Sequence, residues 1–111
     1  MDDSASKLYE KVMDSLAKRE KIDESIAMLD SLLADNVDNT SAYYLLGNAY
    51  TLKAHFAVAE MFFKRANELR PNHAAIVNAM GCAAMELLRH HEAIDLFKRS
   101  IEITDDPIIY N

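Results

Sequence analysis

The sequence predicts an all-α fold, a solenoid of three antiparallel helix hairpins built into one domain of 111 residues. Three observations carry that prediction. The chain is self-similar at a spacing of 34 residues, and repeats of this period stack supersecondary units side by side. Within each period, apolar residues recur at three to four positions in two separate runs, the signature of a helix pair. Only 2 Gly and 2 Pro are present, too few for the turns of an all-β sandwich or barrel.

The period is read from the two glycines, Gly47 and Gly81, which lie 34 apart. The same offset pairs Ala49 with Ala83, Ala59 with Ala93, Phe63 with Phe97, Lys64-Arg65 with Lys98-Arg99 and Glu68 with Glu102. A weaker unit precedes them: Tyr9 aligns with Tyr43, Ser25 with Ala59, and Leu29 with Phe63. The repeats are therefore 6–39, 40–73 and 74–107, with 108–111 reading as the start of a further repeat or a cap.

In the first unit, helices are expected over about 4–19 and 23–35, with Asp2, Asp3 and Ser4 suited to the positive end of the first. In the second unit, Asn39-Thr40-Ser41 supplies candidate N-caps before the Tyr43, Leu46, Ala49-Tyr50 stripe. A break near Ala54-His55 separates it from the stripe of Ala59, Phe62-Phe63, Ala66 and Leu69, which Pro71 ends. The third unit is expected to form helices over about 74–87 and 90–103.

Composition excludes several functions. The net charge is −6, which argues against binding nucleic acid through its phosphates. Charge is uneven: residues 1–39 sum to −5, residues 40–73 to +2 and residues 74–111 to −3. No apolar run approaches the roughly 20 residues a membrane helix requires. The acidic, polar start MDDSASKLYEK lacks the basic and apolar parts of a secretory signal, so a cytoplasmic location is expected.

No enzyme motif is present: there is no glycine-rich phosphate loop, no HExxH and no C-x-x-C. The one cysteine, Cys82, falls mid-helix and reads as a structural or incidental thiol. His90 and His91 are adjacent and point apart on a helix, whereas paired ligands on one face need a spacing of three or four. The expectation is a non-catalytic chain with no cofactor and no metal. Most of the six methionines fall on apolar repeat positions and read as core, with Met85 the exception.

The pattern resembles the tetratricopeptide repeat, whose spacing is W-x2-L-G-x2-Y…A-x3-F…P. The second unit carries Tyr43 in place of Trp, then Leu46, Gly47, Tyr50, Ala59, Phe63, Ala66 and Pro71. The third keeps Gly81, Ala93 and Phe97 but has Asp105 at the proline position, with Pro107 two residues on. The first has Met13 for the glycine and Val37 for the proline. The resemblance covers about residues 6–107 and implies a right-handed superhelix. Small residues at Gly47 and Ala59, and at Gly81 and Ala93, are expected to let the helices of each hairpin approach. Phe63 and Phe97 are expected to fill the space between consecutive hairpins.

The resemblance also implies a concave groove lined by the first helix of each repeat. Its positions fall on Tyr44, Asn48 and Thr51 with Ser41, on Asn78, Cys82 and Met85 with Ala75, and on Lys7, Glu10, Asp14 and Lys18. Asn48 and Asn78 suit a peptide backbone, Tyr44 and Met85 an apolar side chain; the alternative is a polar, solvated face. The carboxylate clamp that related proteins use for chaperone tails is not matched, because its positions hold Glu10, Asp14, Leu45, Ala75 and Ala79. A basic strip of Lys64, Arg65, Lys98 and Arg99 on the second helices reads mainly as a solvated outer face.

The function implied is a scaffold or adaptor that binds a protein or peptide partner. The alternative is a small chaperone that holds a secreted or membrane-associated client. The last full helix carries Ile94, Ile101 and Ile103, and repeat arrays need a polar terminal face, so self-association through that face is a further expectation.

Overall fold

The structure, a computed structural model, describes residues 3–105, with side chains described over residues 7–103. Asp2, Pro107 and the segment 108–111 lie outside the described residues, as do the side chains of Asp3 and Ser4. Six helices follow one another: α1 (Asp3–Ala17), α2 (Ile22–Asp35), α3 (Thr40–Leu52), α4 (Phe56–Leu69), α5 (Ala74–Glu86) and α6 (His90–Asp105). No strand occurs among the described residues.

Local chemistry sets the helix ends. The Asn39 side chain accepts a hydrogen bond from the Ala42 amide and caps α3. α4 stops at Leu69, two residues before Pro71. The first helices of the hairpins end alike, with an amide reaching back five residues: Glu20 to Ser15, His55 to Tyr50 and Arg89 to Ala84. That closure places a residue in the left-handed region. Ala54 and Leu88, 34 residues apart, take it in the second and third hairpins (φ 61° and 64°). The first hairpin differs: its turn has two such residues, Arg19 and Lys21, and α1 ends at Ala17 instead of near 19.

The helices stack in sequence, α1 on α2 and α3, then each helix on the next. One core cluster joins the first hairpin to α3 through Val12, Leu16, Leu29, Ala42, Leu45, Leu46 and Ala49. A second joins α4 to α5 through Ala59, Phe63, Ala79 and Ala83. Phe62 stacks with both Tyr43 (6.3 Å) and Tyr50 (5.5 Å) inside the second hairpin.

The glycine contacts correct one expectation. The Phe63 ring, and not Ala59, lies nearest Gly47, and a Cβ there would overlap it. At Gly81 a Cβ would stand 2.7 Å from Cε1 of Phe97. Each phenylalanine therefore packs within its own hairpin, and Phe63 also packs against α5. The ring reaches back because a helical side chain leans toward its own N-terminus.

Polar contacts join neighbouring helices and turns. Arg89 donates to both oxygens of the buried Glu60 carboxylate at 2.8 and 2.7 Å. The Ser100 hydroxyl donates to the Ala74 carbonyl at 3.0 Å, and Arg99 donates to the Asn72 side chain at 3.1 Å. The Asn39 side-chain amide donates to the Tyr9 hydroxyl, and the Tyr43 hydroxyl donates to the Val37 carbonyl at 3.1 Å.

Candidate groove between the first helices

Two adjoining cavities lie along α1, α3 and α5. One, of about 400 Å³, is lined by Met13, Leu16, Ala17, Tyr44, Leu45, Asn48, Thr51 and Leu52. The other, of about 300 Å³, adds Tyr9, Thr40, Ser41, Arg70, His73 and Ile76. Met13, Tyr44 and Leu45 belong to both, so the two form one trough with a shared apolar floor.

The trough follows from local packing. Tyr44 leans onto Phe63 (5.9 Å between ring centroids), which fixes it between α3 and α4. The Thr51 hydroxyl donates to the Gly47 carbonyl one turn back at 2.8 Å. Asn48 is half-buried and has no recorded side-chain bond among the described residues, so its amide is available to a ligand.

Tyr44, Asn48, Thr51 and Ser41 line the trough. Asn78, Cys82 and Met85 do not line either cavity; they stand exposed along α5. Lys7, Glu10, Asp14 and Lys18 are exposed on α1, and Lys18 pairs with Asp14 at 3.2 Å. The α1 wall is instead apolar, built from Met13, Leu16 and Ala17. Sequence reasoning missed these, along with Arg70 and His73. The signal was there: Met13 stands where the other repeats have glycine, and its side chain is 55% exposed. Met61 is 69% exposed too, so the methionines are less a core feature than their spacing suggests.

The other singled-out groups lie apart. His55 stacks on Tyr50 (6.1 Å) at the start of α4, and His90 and His91 are exposed at the start of α6. No group of three metal-ligating side chains occurs among the described residues. Desolvation, with Glu86 nearby, pushes the Cys82 thiol up. The basic strip is partly engaged: Arg65 pairs with Glu68 at 3.1 Å and lies over the Tyr43 ring, and Arg99 bonds Asn72. No helix among the described residues is long and apolar enough to cross a membrane.

A family comparison matches residues 40–73 to the tetratricopeptide repeat. The chain resembles the tetratricopeptide-repeat proteins, with one of its three hairpins matched. Solved structures agree with its all-α repeat fold. MamA AMB-1 is 26% identical, with a TM-score of 0.77 over 88% of this chain and 57% of that one. MamA MSR-1 is 26% identical, with a TM-score of 0.75 over 85% and 53%. The MamA RS-1 ArsTM double mutant, at 22% identity and a TM-score of 0.78 over 87% and 54%, shares the fold. The chain spans just over half the length of these relatives. No curated protein matches it.

Proposed function

We propose that this chain is a non-catalytic adaptor that binds a segment of a partner protein in the trough between α1, α3 and α5. The observation that carries it is the continuity of the two cavities across Met13, Tyr44 and Leu45, with Asn48 and Thr51 on the rim. An apolar floor with a few polar rim groups suits an extended segment, whose side chains enter the floor while its backbone meets the rim. Partner capture with the wild type and with Asn48→Arg and Thr51→Arg tests it. Both variants fill the rim with a long charged side chain and should lose the partner. Equal retention by correctly folded variants would refute the assignment.

A second reading is favoured by one observation. Ile94 and Ile101 are 45% and 61% exposed on α6. One period back, Glu60 is buried and bonded to Arg89 of the next hairpin, and Asn67 is half-buried; two periods back, Ile26 and Leu33 pack against the core that α3 completes. The α6 face therefore has the composition of an internal stacking face. Self-association through Ile94 and Ile101 follows, with Ile103, which is only half-exposed, at its margin. Light scattering on the wild type and an Ile94→Lys/Ile101→Lys variant tests this: a wild type that stays monomeric at high concentration sinks it.

A further inference from the structure

The smaller cavity has one end unlike its floor. The floor is apolar and aromatic: Tyr9, Met13, Tyr44, Leu45 and Ile76. Arg70, which follows the last turn of α4, and His73, which precedes α5, close the end. In a chain of net charge −6, Arg70 is the one permanently charged residue among the described residues that line this cavity. It makes no ion pair among the described residues. Its charge is therefore free to meet a ligand.

The backbone adds to that charge. α3 starts at Thr40 and α5 at Ala74, so the amino ends of both helices lie at this edge, where Thr40, Ser41 and His73 line the cavity. Their first-turn amides carry partial positive charge. Asn39 takes up the Ala42 amide in α3, whereas His73 offers α5 no side-chain cap. The volume, about 300 Å³, sits at the bottom of the range for small-molecule sites and suits a single large side chain.

We propose that this cavity is a specificity pocket for a two-part determinant on a bound polypeptide: a large apolar side chain on the floor, and an Asp or Glu within two residues of it paired with Arg70. One guanidinium matches one carboxylate in charge and in its forked geometry. A phosphate dianion would bring two charges to a single arginine, in a chain whose net charge already repels anions. The proposal rests on the trough as the binding site and adds to it the chemistry of the partner.

The test is selection of peptides from a random heptapeptide phage library on the full chain, on Arg70→Glu and on Met13→Asn. The wild type should enrich peptides with Asp or Glu within two residues of Phe, Leu, Met or Tyr. Arg70→Glu should keep the apolar preference and lose or invert the acidic one. A selected peptide, made synthetically, should bind Arg70→Glu about tenfold more weakly, the loss of one charge-assisted pair. Amidating its C-terminus should change nothing, because the carboxylate belongs to a side chain. Wild-type peptides without acidic enrichment, an acidic preference that survives Arg70→Glu, or binding abolished by amidation would overturn the proposal. Met13→Asn separates the two levels. Met13 is exposed and adds no charge, so peptides whose affinity is untouched by its loss sit outside the trough, and the binding-site reading fails with the proposal.

Discussion

The Phe63 ring occupies the place where a side chain at Gly47 would begin. Alanine there gains helix propensity, about 1 kcal/mol over glycine. It also pushes a buried ring out of a packed seat, at about 1–3 kcal/mol. The second effect wins, so Gly47→Ala should lower the urea midpoint. Gly81→Ala should come close to neutral, because the gap is 2.7 Å and Phe97 is only half-buried and can give way. Equal losses at both sites would mean that ring burial does not decide the outcome.

Glu60 is the buried acid of the array, and its carboxylate is held from two sides, by both Arg89 bonds and by Lys64 at 3.7 Å. The bonds from Glu60 hold the Arg89 guanidinium more firmly protonated. Removing Arg89 leaves a desolvated charge without its principal donor. Arg89→Ala should therefore lower the melting temperature, and Glu60→Gln in the same chain should restore part of it. A double-mutant cycle with no coupling between the two positions would contradict the geometry.

Leu88 holds a left-handed backbone (φ 64°) with a side chain that is 75% exposed. A non-glycine residue there costs roughly 1 kcal/mol, and almost no burial offsets it. Leu88→Gly should raise the melting temperature by a few degrees, about what a change of that size produces in a domain of this length. A fall would show that Leu88 packs in solution against something that supports it.

Cys82 is exposed, yet desolvation raises its thiol above the ordinary value of 9.0. The reactive thiolate is then scarcer at neutral pH than in a free cysteine. Iodoacetamide should label it more slowly than a cysteine peptide at pH 7.5, with the rate still climbing above pH 9. A faster rate than the peptide would place a depressed thiol there and reverse the sign.

The repeat frame was legible because it is written in residue identity. Gly47 and Gly81, Ala59 and Ala93, and Phe63 and Phe97 must recur wherever the same contact recurs. The seating of Phe63 on Gly47 was not legible, since spacing does not state which way a ring leans. The two left-handed residues in the first turn, Arg19 and Lys21, carry no glycine or asparagine to announce them. Tyr44, Asn48 and Thr51 were legible as a face of α3. The α1 wall was not, because Met13, Leu16 and Ala17 read as core beside the charged residues around them. Arg70 and His73 lie at helix ends, where the apolar period says nothing about what faces a cavity.

The first hairpin has neither half of the ring-on-glycine seat: Met13 stands at the glycine position and Leu29 at the phenylalanine position. Among the described residues α1 packs mainly on α2 and α3, and it supplies one wall of both cavities. Local opening begins where an element has the least packing. One wall of the trough is thus the helix with the least packing among the described residues, so a guest that touches α1 also braces it against α3. Amide exchange in residues 7–17 would slow on occupancy, and the affinity would carry the work of keeping that helix docked.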